Sequence, residues 1–100
     1  MQQPRVYEIV FWLKDDAENN LEESMQSVIE KSPSGKLIFT SRPTKKRLAW
    51  PIQKAHEGYF GFFVASLLPE TVVNFKKNFE RDPNILQLEI FQTANKKSGL

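Results

Sequence analysis

The chain has 100 residues, a formal net charge of +2 and an isoelectric point near 9.0, with 40% hydrophobic and 26% charged residues. That is the composition of one globular domain with a single core, too apolar for a disordered chain. No cysteine is present, which excludes a disulfide framework, a thiolate metal site and a cysteine nucleophile, and no apolar run approaches the roughly 20 residues of a membrane span.

The opening residues, MQQPRVYE, lack the charged-then-apolar pattern of a signal peptide, and a reducing cytoplasmic setting is expected. Residues 6–13 alternate, with Tyr7, Ile9, Phe11 and Leu13 on one face and Val6, Glu8, Val10 and Trp12 on the other, the period of a strand. Residues 14–20 are polar and end it. Leu21, Met25, Val28 and Ile29 then fall on one stripe of a helix, with Asp15, Asp16 and Glu18 before or in its first turn, where carboxylates complement the helix dipole. Ser32-Pro33-Ser34-Gly35 should stop this helix, because proline cannot continue it and glycine suits a turn.

Residues 37–40 resume a short strand pattern. Residues 42–47 are basic and include Pro43, so regular pairing is expected to weaken there. Residues 48–52 are apolar but hold Pro51, as an edge or bent segment would, and Glu57-Gly58 has the composition of a turn. The longest apolar block, 59–68, is rich in aromatic and β-branched residues and predicts a strand, with Phe60, Phe62 and Val64 on one face and Tyr59, Gly61, Phe63 and Ala65 on the other. Pro69 suits a first helical position, and Val72, Phe75 and Phe79 mark the apolar stripe of a second helix that Asp82-Pro83-Asn84 ends. A last strand covers 85–91, where Leu86, Leu88 and Ile90 alternate with Gln87, Glu89 and Phe91.

The order β-α-β-β-α-β predicts a ferredoxin-like split βαβ fold: a four-stranded antiparallel sheet with both helices on one face and the other face open. Residues 1–93 form the domain, and 94–100 read as a flexible basic tail.

Charge is unevenly spread. Residues 14–30 hold six acids and one base, whereas 31–56 hold seven bases and no acid. Such separation gives a local positive field that the net charge hides. A solvated loop and strand edge would explain it equally well. Lys45, Lys46, Arg47 and Lys54 are the principal candidates for phosphate contacts, with Arg5, Lys96 and Lys97 weaker ones, because each neutralised phosphate releases counterions.

Catalytic chemistry finds little support. His56 is the sole histidine, and a lone histidine is more often a surface residue than a ligand. There is no nucleophile elbow, no phosphate-cradling glycine loop and no glycine-rich anion loop with a following arginine, as an acylphosphatase-like hydrolase on this fold would need. No enzyme activity, cofactor or metal is expected. The segment 58–64 bears some likeness to the aromatic strand of an RNA-recognition motif. If Phe60 and Phe62 face the helices, Tyr59 and Phe63 are left to stack on bases. This supports an alternative reading as a free-standing single-stranded RNA-binding module.

The run Lys46-Arg47-Leu48-Ala49-Trp50-Pro51-Ile52-Gln53-Lys54, followed by Gly58-Tyr59-Phe60, together with the opening Arg5-Val6-Tyr7-Glu8, resembles the bacterial small-subunit ribosomal protein six family. The resemblance covers residues 5–93. Trp50 stands where that family usually has tyrosine, Pro43 and Thr44 where it often has tryptophan and glycine, and Lys45 and Lys46 where arginine is common; lysine keeps the charge and loses the fork. The resemblance implies a structural ribosomal protein that binds the central domain of small-subunit ribosomal RNA as a heterodimer with ribosomal protein eighteen. Leu48, Trp50, Pro51 and Ile52 are the expected partner contacts, with Trp50 as the anchor, since aromatic residues dominate interaction hot spots. A packing role for Trp50 in the core or along an edge strand is the competing expectation.

Overall fold

The structure, a computed structural model, describes residues 3–14, 20–52 and 55–93. Its elements are β1 (Arg5–Lys14), α1 (Asn20–Lys31), β2 (Lys36–Ile52), β3 (Ala55–Leu67), α2 (Pro69–Glu80) and β4 (Ile85–Gln92). The four strands form one antiparallel sheet in the order β2-β3-β1-β4. This is the ferredoxin-like arrangement that the sequence predicts.

The alternation of β1 determines the layering. Tyr7, Ile9, Phe11 and Leu13 are buried, and their neighbours along the strand are half-buried. Met25 and Ile29 of α1 and Phe75 of α2 pack on that face with Phe63, Ala65, Leu67, Ile85 and Leu88, while Leu21, Val28, Val72 and Phe79 close the margins. Burying a large apolar side chain contributes about 1.5–3 kcal/mol, so this cluster is the main source of stability.

The helix stop differs from expectation in one detail. Ser34, not Gly35, takes the left-handed conformation, with φ of 61°. Gly35 is required for space, because a Cβ there would collide with the carbonyl oxygen of Ile29. The Ser32 hydroxyl donates to the Val28 carbonyl at 2.6 Å and the Gly35 N–H to the Ser32 carbonyl at 2.9 Å, which satisfies carbonyls left over at the helix end.

Three strand expectations need correction. The stretch that the sequence breaks into two short runs around a basic connection is one strand of 17 residues. It tolerates Pro43 and Pro51 because it is an edge strand, where a missing N–H can face solvent, and because its pairing with β3 shifts register at three places. Glu57-Gly58 is no turn but part of β3. Ile52 of β2 already pairs with Ala55 of β3, so β3 begins well before Glu57. Gly58 serves close approach instead: a Cβ there would lie 2.8 Å from the Leu13 carbonyl oxygen. In β4 the register shift opposite Trp12 and Leu13 puts Ile85 with Leu88 in the core and takes Leu86 out of their alternation.

Candidate functional site

The sheet face away from the helices carries an aromatic surface. The rings of Trp12 and Phe60 pack at a tilt of 57° with centroids 5.0 Å apart, and those of Phe39 and Phe62 lie 5.6 Å apart. The Lys46 ammonium sits 5.6 Å from the centre of the Phe60 ring, a cation–π contact. This overturns the expectation that Tyr59 and Phe63 remain for stacking. Phe63 is fully buried against Phe11, and Tyr59 packs on the core margin, so Phe60 and Phe62 are the open-face rings of β3. Sequence reasoning missed Trp12 and Phe39 as members of this surface. The alternation of β1 already placed Trp12 opposite the core and offered the signal, whereas Phe39 was hidden by the irregular register of β2.

The bulge between Arg47 and Ile52 shapes the rest of the site. Four residues of β2, 48–51, span a gap that β3 crosses with one residue, 56, so the strand must bow away from its partner. The bowed segment meets β1 and β4: Trp12, Leu48, Ala49, Trp50, Ile52 and Gln87 line a recess of about 120 Å³. Trp50 is 67% exposed, which excludes a core role for it. Pro51 is exposed, while Leu48 and Ile52 are half-buried. Three of the four predicted partner residues, Leu48, Trp50 and Ile52, thus line one apolar recess, and Pro51 does not.

The predicted basic cluster is divided by the pleat. Lys46 points to the open face over Phe60. Lys45 and Arg47, paired with Tyr59 and Glu57, belong to the opposite side of the hairpin, where the Lys45 ammonium lies 3.6 Å from a Glu57 carboxylate oxygen. Both partners are about half exposed, and such ion pairs contribute only about 0–1 kcal/mol. Arg5 is exposed at the start of β1. Lys54, Lys96 and Lys97 lie outside the described residues, as do Asp15, Asp16 and Glu18.

Arg42 turns toward α1. With Leu13, Lys14, Glu22, Glu23, Pro43 and Tyr59 it lines a cleft of about 340 Å³. Burial pushes the Glu22 carboxyl above its ordinary range, against the opposing pull of Arg42 and together with the repulsion of Glu23. The acidic helix therefore offsets part of the basic strand's field. His56 is exposed, and among the described residues no group of three or more His, Cys, Asp or Glu side chains could hold a metal ion. No helix among the described residues is long and apolar enough to cross a membrane.

An open aromatic sheet face beside an exposed, bulged, basic hairpin defines an interaction domain of ferredoxin-like fold. The profile of the family described as ribosomal protein S6 matches residues 6–92, and the chain belongs to that family. It is therefore a structural, non-enzymatic ribosomal protein. The fold is similar to that of the 30S ribosomal protein S6 from Thermotoga maritima, whose crystal structure superposes with a TM-score of 0.83 at 21% identity, covering 91% of this chain and 89% of that one. No curated protein sequence matches the chain.

Proposed function

We propose that the protein occupies the small ribosomal subunit of a cytoplasmic ribosome, where it binds the central domain of the ribosomal RNA together with ribosomal protein eighteen. The observation that carries this reading is the bulged segment at Trp50. An exposed tryptophan beside an apolar recess is a liability in a solitary protein and an anchor in an assembled one. The RNA contacts fall to Lys45, Lys46 and Arg47, with Lys54, Arg5, Lys96 and Lys97 as further candidates. The protein contacts fall to Leu48, Trp50, Pro51 and Ile52. Because the basic side chains point to both sides of the hairpin, the RNA backbone would run along its edge rather than across one face.

The alternative, a free-standing single-stranded RNA-binding module, draws on the open-face rings Trp12, Phe39, Phe60 and Phe62 rather than on Tyr59 and Phe63.

Titration of ribosomal protein eighteen from the same genome tests the reading. Trp50→Ala should weaken that complex by about 30-fold, the loss of a hot spot worth about 2 kcal/mol, without lowering the melting temperature. Equal affinity of the variant and the unsubstituted protein would remove Trp50 from the interface. No measurable complex with the unsubstituted protein would contradict the partner assignment itself.

A further inference from the structure

The two edges of the sheet are built differently. The β2 edge carries Pro43 and Pro51 and shifts register at three places, features that blunt an edge against further pairing. The β4 edge has neither proline nor lysine along its length, and its one irregularity lies at the Ile85 end. Its outward positions follow from the ladder. Thr93 donates its N–H to the Val6 carbonyl at 3.0 Å, so every second residue before it, Phe91, Glu89 and Gln87, turns its backbone polar groups toward β1. Leu88, Ile90 and Gln92 turn theirs away. β4 is the last strand of the sheet, and these N–H and C=O groups bond to nothing among the described residues.

Helix α2 runs beside this edge. Its residues Val72, Val73, Lys76, Lys77 and Glu80, with Ile90 of the strand, line a recess of about 390 Å³. Val73 is 53% exposed and leaves apolar surface open there. The recess holds two ammonium groups against one carboxylate. Neither lysine forms an ion pair with a described residue, although Glu80 lies one helical turn away from both. The other charges nearby do not reverse the sign. Arg81 follows at the exposed end of the helix. The Asp82 carboxylate accepts the Asn84 N–H at 2.8 Å. Glu70 stands about 10 Å from Lys77 along the helix axis and does not line the recess. Glu89 precedes Ile90 and turns to the other face of the sheet. Lys96 and Lys97, outside the described residues, follow β4 in the sequence and carry the same sign as the recess.

We propose that the groove between β4 and α2 takes an extended acidic segment of a protein partner as a fifth strand. An unpaired edge beside a helix gives an added strand main-chain hydrogen bonds from the edge and side-chain selection from the groove. Leu88, Ile90 and Gln92 offer those bonds. Alternate side chains of the added strand then fall over the recess, where apolar ones cover Val73 and Ile90 and carboxylates reach Lys76 and Lys77. Charge selects among the occupants. A second copy pairing its own β4 about a two-fold axis would set the two pairs of lysines against each other. The basic residues 94–100 carry the same sign as the recess. RNA would bring phosphates to the lysines, but it has no strand backbone to satisfy the edge. The groove lies on the edge of the sheet opposite the basic hairpin, so the inference does not rest on the ribosomal contacts proposed above.

The test uses a capped, labelled peptide, Thr-Val-Thr-Glu-Thr-Val-Thr-Glu, which presents valine and glutamate in turn on one face. Fluorescence anisotropy reads its binding to the full chain, and amide hydrogen exchange followed by NMR locates it. The expected result is binding with new protection of the Leu88, Ile90 and Gln92 amides. Affinity should fall about tenfold in the Lys76→Gln, Lys77→Gln double variant, whose fold thermal melting checks, and by as much when lysine replaces glutamate in the peptide. A peptide methylated on its backbone nitrogens should not bind. Unchanged affinity in the double variant, equal binding of the lysine or methylated peptide, or no binding of any peptide would overturn the inference. Protection of the same amides in the protein alone, with sedimentation as a dimer, would overturn it in favour of a second copy. Displacement of the peptide by a short oligouridine would overturn it in favour of RNA. All of these outcomes leave the proposed function standing.

Discussion

Replacing Phe11 by alanine should lower the free energy of unfolding by about 4–5 kcal/mol, the upper part of the range for removing a buried phenylalanine. The cost of such a change depends on how far the site can collapse. Phe11 is fully buried in a central strand, its ring 5.0 Å from that of Phe63. Across the sheet it faces Gly61, and a Cβ on Gly61 would come within 2.8 Å of the Phe11 ring. The ring thus occupies the space a side chain at 61 would have filled, and a glycine cannot move into the void. Domains of this size have about 5–15 kcal/mol in total, so the variant should be close to unfolded at physiological temperature. Gly61→Ala alone should also destabilise, since Phe11 must shift. Combined with Phe11→Ala it should cost far less than the sum of the two, because the added methyl then enters the cavity. Urea unfolding of the four proteins in this cycle reads the coupling directly, and additive losses would contradict the described contact.

On the proposed reading, reversing three charges together, Lys45→Glu, Lys46→Glu and Arg47→Glu, should weaken binding to a central-domain ribosomal RNA fragment by about a hundredfold or more at moderate salt. It should also flatten the slope of log affinity against log salt by about 2, since each phosphate contact contributes about 0.7–0.9. Stability should change little. The Lys45–Glu57 pair is half exposed, and the Lys46–Phe60 contact is a surface one. The single variants separate the two sides of the hairpin. If Lys46→Glu alone accounts for the whole loss, the RNA lies over the open face; comparable losses at Lys45 and Arg47 place it along the edge. An unchanged slope in the triple variant would remove this segment from the RNA interface.

Most of the fold is legible in the sequence wherever one face is apolar and the other is not. In β1 the contrast between Tyr7, Ile9, Phe11, Leu13 and their neighbours fixes the inward face without ambiguity, and the stripes at Met25 and Ile29 and at Phe75 and Phe79 do the same for the helices. Pro69 marks the start of α2 as expected. β3 defeats the same reasoning. Aromatic side chains stand on both its faces, so alternation carries no sign, and its orientation follows only from pairing Gly61 with Phe11 and Trp12 with Phe60. β2 is misread for a different reason. Bulges break its period three times, and prolines that would end a central strand are harmless on an edge. The candidate site shows the same division. The apolar run at Leu48, Trp50, Pro51 and Ile52 is visible as a string of residues, but the convergence of Leu48, Trp50 and Ile52 with Trp12 and Gln87 depends on the bulge. The basic run is visible as charge, and its splitting between two sides is a consequence of the pleat.

The central claim, a structural place in the small ribosomal subunit, is tested most directly by sedimenting the tagged protein from its source cells through a high-salt gradient and quantifying it against the small subunit. The proposed function predicts one copy per small subunit, retained in high salt, and loss of that association in the Trp50→Ala variant. A protein that stays at the top of the gradient, or that sediments with other RNA while the small subunits lack it, would contradict it.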